Sequence, residues 1–176
     1  AVRRVRYQVA CSLDGYIADE DGGYDWIVAD EEIDFSDLYA QFDTLLMGRK
    51  TWEVVEKQIS AMPELQAMKI LVFSAELGDV PGGHRVVRPE EATAVVEELR
   101  EGDGKDIWLY GGGELFRSLL EPGLVDTVEL AIIPVLLGKG LPFLPRTEQR
   151  WPLRLTGQRA YRQSGIVLLE YDVDYG

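Results

Sequence analysis

Ile107-Trp108-Leu109-Tyr110-Gly111-Gly112-Gly113-Glu114-Leu115-Phe116 carries more structural information than any other segment of this 176-residue chain. Residues 107–110 are a short apolar run with aromatic and β-branched content, the pattern of a buried strand. Three glycines follow, and Glu114-Leu115-Phe116-Arg117-Ser118-Leu119-Leu120 then places apolar residues at helical spacing. The order is strand, glycine turn, helix. Glycine lets the backbone turn sharply and lets a ligand approach with no Cβ in the way. The helix start adds unpaired N–H groups and the positive end of a dipole, so an anion, most often a phosphate, is the natural guest. The spacing is neither a Walker loop nor a clean Gly-x-Gly-x-x-Gly, so it does not name the ligand by itself. A tight connection with no guest is the plain alternative.

A second turn of the same kind lies upstream. Thr44-Leu45-Leu46-Met47 has strand character, and Gly48-Arg49-Lys50-Thr51-Trp52 turns it into a helix. An Arg and a Lys at a helix N-terminus beside a hydroxyl are three features that all favour phosphate. They stand out because the net charge is −13, which disfavours nucleic acid and anionic membranes as partners. This turn is the local basic exception that a phosphorylated ligand needs. Strands are expected at 5–12, 16–18, 69–74, 84–87 and 127–134, with a helix from Pro89 to about Arg100. Two further strands, 153–161 and 166–173, flank Gln163-Ser164-Gly165 as a hairpin. Strands alternating with helices predict an α/β chain with a mixed, mostly parallel central sheet flanked by helices, and the hairpin adds antiparallel strands at its end.

With 46% hydrophobic residues, the chain is read as one domain over 1–176 with a substantial core. No apolar run approaches the roughly 18 residues of a membrane span. The N-terminus enters a strand pattern without a signal-peptide core, and the single cysteine, Cys11, rules out an internal disulfide; both suit a cytoplasmic protein. One histidine, His84, and one cysteine cannot build a zinc site of the usual kind, and His84 is expected to be solvent-exposed. Asp19-Glu20-Asp21-Gly22-Gly23 is an acidic, glycine-rich loop, expected to be mobile. Beyond it, Ile33, Leu38 and Phe42 suit one face of a helix whose acidic start complements the dipole. Leu137-Gly138-Lys139-Gly140-Leu141-Pro142 is a loop.

Leu13-Asp14-Gly15-Tyr16-Ile17-Ala18, Asp25-Trp26, Met47-Gly48-Arg49-Lys50-Thr51-Trp52-Glu53, Ser74 and Tyr110-Gly111-Gly112-Gly113 stand in the same order as in the dihydrofolate reductase fold. The chain resembles that superfamily over residues 5–173. Its 137–142 loop is most similar to the branch that contains the reductase domain of the bifunctional riboflavin-biosynthesis deaminase-reductase and its stand-alone relatives. The resemblance implies a three-layer α/β fold, NADPH as cofactor, and hydride transfer to a small heterocycle. By it, Gly48, Arg49, Lys50 and Thr51 form the turn for the pyrophosphate and 2′-phosphate, with Arg49 and Ser74 on the latter. A guanidinium is the group that best tells a 2′-phosphate from a ribose hydroxyl. Gly111, Gly112, Gly113, Glu114 and Leu115 match the second phosphate turn, and Ala10, Ile17 and Ala18 the wall beside the nicotinamide.

Trp26 matches the tryptophan that ends the active-site loop, and Asp14 and Glu31 complete the candidate catalytic set. The implied substrate is a ribosylamino-pyrimidine of the riboflavin pathway, with dihydrofolate as the alternative. A catalytically silent NADP(H)-binding regulatory module is the alternative of another class. No metal is implied. Riboflavin-branch relatives are often dimers, and the apolar strand 166–171 could supply a shared surface. The acidic segment 19–37 contains no cation to meet a substrate phosphate.

Overall fold

The computed structural model describes residues 2–176. Its centre is Val5–Ser12 (β1), followed by the short Tyr16–Ala18 (β2) and Phe35–Tyr39 (α1). Phe42–Gly48 (β3) leads into Arg49–Glu56 (α2), and Pro63–Gln66 (α3) precedes Lys69–Phe73 (β4). Arg85–Val87 (β5), Ala92–Glu101 (α4), Asp106–Gly111 (β6), Gly113–Leu120 (α5) and Thr127–Ile133 (β7) follow. Leu141–Pro142 (β8), Leu153–Ala160 (β9) and Val167–Val173 (β10) complete the chain. An eight-stranded sheet runs in the order β5-β4-β3-β6-β1-β7-β10-β9. From β5 to β7 all neighbours are parallel; β10 and β9 are antiparallel. The mixed, mostly parallel sheet and its terminal hairpin are as the sequence predicts.

Period-two alternation sorts the strands between two helical layers. Val5, Tyr7, Leu46, Leu71 and Leu109 pack on Val95 and Val96 of α4 and on Phe116 and Leu119 of α5. Leu45, Met47, Ile70, Val72 and Trp108 face the other way, onto Trp52 and Val55 of α2 and Leu65 of α3. Arg6 is buried near the amino end of β1. Its Nε and Nη2 donate to Glu129 at 2.8 and 2.7 Å, its Nη1 to Asp106 at 3.2 Å, and its guanidinium lies 4.5 Å from the Phe42 ring centroid. No helix among the described residues is long and apolar enough to cross a membrane.

Three local expectations change. The helix expected to carry Ile33, Leu38 and Phe42 is only the five-residue α1, capped by the Asp34 carboxylate accepting from the Asp37 N–H. Phe42 instead opens β3, where burial against Trp108, with ring centroids 5.0 Å apart, outweighs helical spacing. His84 is half-buried rather than exposed, its ring steeply inclined to that of Trp52 with centroids 5.5 Å apart. Residues 19–23 form the expected acidic loop, in which Asp19 Oδ1 accepts from the N–H groups of Asp21 and Gly23 at 2.9 and 2.7 Å. The 137–142 loop contributes β8, which pairs with β2 in a small second sheet.

Candidate active site

Strand order reverses around β1. The chain builds outward through β3, β4 and β5, returns to insert β6 between β3 and β1, and adds β7 on the far side. In open α/β sheets ligands bind outside the carboxyl ends of the strands at such a point. The two sequence-predicted turns meet there. Met47 lies opposite Gly111 in the register, and a Cβ on Gly48 would come within 4.0 Å of Gly111 O and Gly112 N. Thr51 Oγ1 sits 3.8 Å from the Cβ positions of Gly111 and Gly112, and Ile17 Cδ1 reaches the latter at 3.8 Å. Gly111 has φ of +141°, so any side chain there would be strained.

Helices α2 and α5 both begin behind a glycine, and neither has a side-chain cap. Their first N–H groups are therefore left for a guest, whereas α1 satisfies its own through Asp34. Gly113 is needed for packing: a Cβ there would lie 2.5 Å from Pro142 O. Leu115 points into the core, so only its backbone remains available to a ligand; Glu114 is exposed.

Arg49 stands in the first turn of α2 with Lys50 exposed beside it. Its guanidinium lies 3.6 Å from Glu53 and 3.8 Å from Glu76. Exposed pairs at such distances are weak and release a cation to a stronger anion. Glu76 is there because Ser74 builds the turn after β4. Ser74 Oγ accepts from the N–H groups of Glu76 and Leu77, both at 3.1 Å, while Arg88 donates to the carbonyls of Ser74 and Leu77. With two bonds accepted, the Ser74 hydroxyl still has its proton to donate. Sequence spacing does not reveal Glu76, since the 27 residues between it and the turn residue Gly48 are closed only by the β3–β4 pairing.

On the other side of the reversal, Ala10, Trp26, Ile33 and Ala131 each pack against the buried cluster of Ile133, Tyr161 and Ile166, and Trp26 Nε1 donates to Gly23 O at 3.1 Å. Ala18 pairs with Leu141. Of Ala10, Ile17, Ala18 and Trp26, Ile17 is brought against a glycine turn, at Gly112. Asp14 is a tie between loops: it accepts from Ser12 Oγ at 2.7 Å and from the N–H groups of Leu137 and Gly138 at 3.1 and 2.7 Å. The Ser12 hydroxyl, followed by the Gly138 N–H, holds its carboxyl below the usual range. Asp30 is buried and accepts from Ser164 Oγ at 2.5 Å and the Glu32 N–H at 2.9 Å. Glu31 is exposed.

The cation missing from the acidic segment arrives through the fold. Arg159 on β9 comes within 3.9 Å of Glu32, and its guanidinium sits 4.5 Å from the Tyr161 ring centroid. Lys139 reaches Glu20 at 3.2 Å. Among the described residues there is no cluster of three or more His, Cys, Asp or Glu able to hold a metal.

Residues 3–167 match the model of the RibD C-terminal domain. The uncharacterized protein YyaP of Bacillus subtilis is 32% identical over 96% of this chain and 94% of its own length. The Thermotoga maritima diaminohydroxyphosphoribosylaminopyrimidine deaminase/5-amino-6-(5-phosphoribosylamino)uracil reductase superposes with a TM-score of 0.75 at 18% identity, over 98% of this chain and 57% of that one. Dihydrofolate reductase from Enterococcus faecalis, solved with NADP(H), superposes with a TM-score of 0.68 at 18% identity, over 97% and 96% of the two chains. At these identities the structural likeness establishes the fold, a dihydrofolate reductase-like one.

Proposed function

The chain belongs to the RibD C-terminal domain family, and from that premise we propose that it is an NADPH-dependent reductase acting on a ribosylamino-pyrimidine of the riboflavin-pathway type. One observation carries the cofactor half of this: two uncapped helix N-termini, each behind a glycine, converge at the reversal of strand order with Arg49 and Lys50 alongside. A flat cradle that any Cβ would fill, bordered by N–H groups and a guanidinium, fits a dinucleotide with a 2′-phosphate. The bound nicotinamide would supply the hydride. The protein's own part is to hold and orient. Gly48, Thr51 and Gly111 to Gly113 would hold the pyrophosphate, Arg49 and Ser74 the 2′-phosphate, and Ala10, Ile17 and Ala18 the ring beside Trp26.

The acids near Trp26 suit dihydrofolate less well. Asp30 is held by Ser164, Asp34 caps α1, and Glu31 is exposed. Arg159 offers a charge for the substrate's phosphate at the rim. The test is a titration with NADPH and with NADH, following tryptophan fluorescence, and then the loss of NADPH absorbance with 5-amino-6-(5-phosphoribosylamino)uracil or dihydrofolate. NADPH should bind more tightly, and the aminouracil should support turnover. Failure to bind either cofactor would sink the reductase; cofactor binding with no turnover on either substrate would favour the silent module.

A further inference from the structure

At the amino ends of β4 and β5, away from the paired glycine turns, the edge strand leaves its neighbour uncovered. β4 opens at Lys69, but β5 joins it only at Arg85, opposite Leu71. The Ser74 N–H donates to Val87 O, and by period-two alternation the N–H of Ile70 points to the same edge. There the β5 ladder has not yet begun, and the chain approaches it through Gly82 and Gly83, with φ of +87° and +72°. The gap is a cavity of about 340 Å³ bordered by Lys69, Ile70, Gly82, Gly83, His84 and Arg85. Sites for small molecules are of this size.

The charge of this cavity is opposite to that of the molecule. Acidic residues outnumber basic ones 31 to 18 along the chain, yet no carboxylate lines the cavity, whereas Lys69, Arg85 and the single histidine do. Arg85 lies opposite Leu71, which packs in the α4–α5 layer, and Lys69 stands two residues before Leu71, so both side chains leave the sheet on that face. His84 comes from the other face, where it meets Trp52 of α2. A Cβ on Gly82 would lie 2.9 Å from His84 Nε2, so glycine is what lets the imidazole lie along the turn. Arg85 has Glu91 at 4.0 Å, an acid that also accepts from the Arg88 N–H at 3.4 Å. An exposed pair at that distance leaves the guanidinium available to a stronger anion.

We infer that this cavity binds the phosphoryl end of a small molecule, at a site separate from the candidate active site. A phosphoryl group carries three strong acceptor oxygens that point in different directions. The donors here are spread in the same way: an ammonium and a backbone N–H from β4, an imidazole from the turn and a guanidinium from β5. A planar carboxylate would be satisfied by the fork of one guanidinium and would leave the other donors idle. The volume is more than a phosphoryl group fills, which leaves room for the molecule that carries it. The net charge of −13 opposes any anion at long range, but physiological salt screens it beyond about 8 Å, and these donors act at contact. The site stands whatever the chemistry at the glycine turns.

Because the chain has a single histidine, the His84 imidazole gives one NMR resonance that reports on the cavity directly. The protein is titrated with inorganic pyrophosphate at about pH 6.5, the ordinary histidine value, with malonate and sodium chloride at matched ionic strength as comparisons. Pyrophosphate should carry the resonance to a saturating limit in the direction of protonation, since an adjacent anion favours the imidazolium. Chloride should move it the other way, because screening a negative protein weakens its hold on the proton. Malonate should bind far more weakly than pyrophosphate. Lys69→Gln and Arg85→Gln should each weaken pyrophosphate by roughly tenfold, the size of a lost charge-assisted contact. Arg49→Ala, at the glycine turns, should leave the curve where it is. A shift that is absent or does not saturate, an unchanged curve in either Lys69→Gln or Arg85→Gln, malonate bound as tightly as pyrophosphate, or loss of the effect in Arg49→Ala would each overturn the site.

Discussion

On the proposed cofactor reading, Arg49 and Glu76 would set the balance of the site between them. The guanidinium is the one group at the paired turns able to grip a 2′-phosphate with two parallel bonds, and the Glu76 carboxylate 3.8 Å away competes for it. Arg49→Ala should weaken NADPH by about 1–3 kcal/mol, the range for a lost charge-assisted contact, and leave NADH nearly untouched. Glu76→Gln should act in the opposite sense. Removing a like charge beside the phosphate should tighten NADPH several-fold with little change for NADH, and added salt should shrink the difference. Parallel titrations of both cofactors check the pair. Equal losses for the two in Arg49→Ala would move Arg49 off the 2′-phosphate. At this scale legibility follows from locality. Arg49, Lys50 and Thr51 declare themselves because glycine, base and hydroxyl are neighbours in sequence. Glu76 and Arg159 do not, because the partner of each meets it only after strands distant in the chain have paired.

Among the elements, β1 and β7 are joined by a buried ion pair as well as by their hydrogen-bond ladder. Arg6 and Glu129 are both nearly inaccessible, and the burial that would strip the Arg6 proton is outweighed by the Glu129 and Asp106 carboxylates. Removing Glu129 leaves the buried Arg6 guanidinium with only the partly exposed Asp106 carboxylate as an acidic partner. Glu129→Ala should therefore cost about 3–5 kcal/mol, while the double replacement Arg6→Met with Glu129→Leu should cost far less. Urea midpoints of the single and double variants decide the point, and a single loss below about 1 kcal/mol would mean that water reaches Arg6. The elements themselves were mostly legible, because β3, β4, β6 and β7 are apolar runs bounded by glycine, proline or charge. The failures have one cause. Phe42 fits a helical face with Ile33 and Leu38, yet Trp108 and Arg6 capture it for a strand. The 137–142 loop reads as glycine–proline coil, yet β8 forms because β2 offers it an edge; a Cβ on Gly140 would run into Ala18 O.

The whole molecule carries a net charge of −13, and its response to pH separates into two stages. Half-burial against Trp52 lowers the His84 pKa below the usual 6.5, so the folded state resists a proton that the unfolded chain accepts. Stability contributed this way is full above about pH 6.5 and declines as pH falls below it. Relief of negative self-repulsion works against this only weakly here, since the carboxylates have hardly begun to titrate. The second stage belongs to Asp14, Asp30 and Asp34, whose pKa values are held down by Ser12, by Ser164 and by the Asp37 N–H respectively. Their contribution is complete above the ordinary carboxylate range near pH 4 and is lost as pH falls through their lowered folded values. Two of the three fasten loops at the candidate site, Asp14 to residues 137–138 and Asp30 to the β9–β10 turn. Urea midpoints measured from pH 8 to pH 3 should thus fall gently below pH 6.5 and steeply near pH 4. His84→Gln should flatten the first fall and leave the second, and Asp14→Asn should reduce the second and leave the first. A single steep fall that neither substitution alters would place the acid sensitivity in net charge alone.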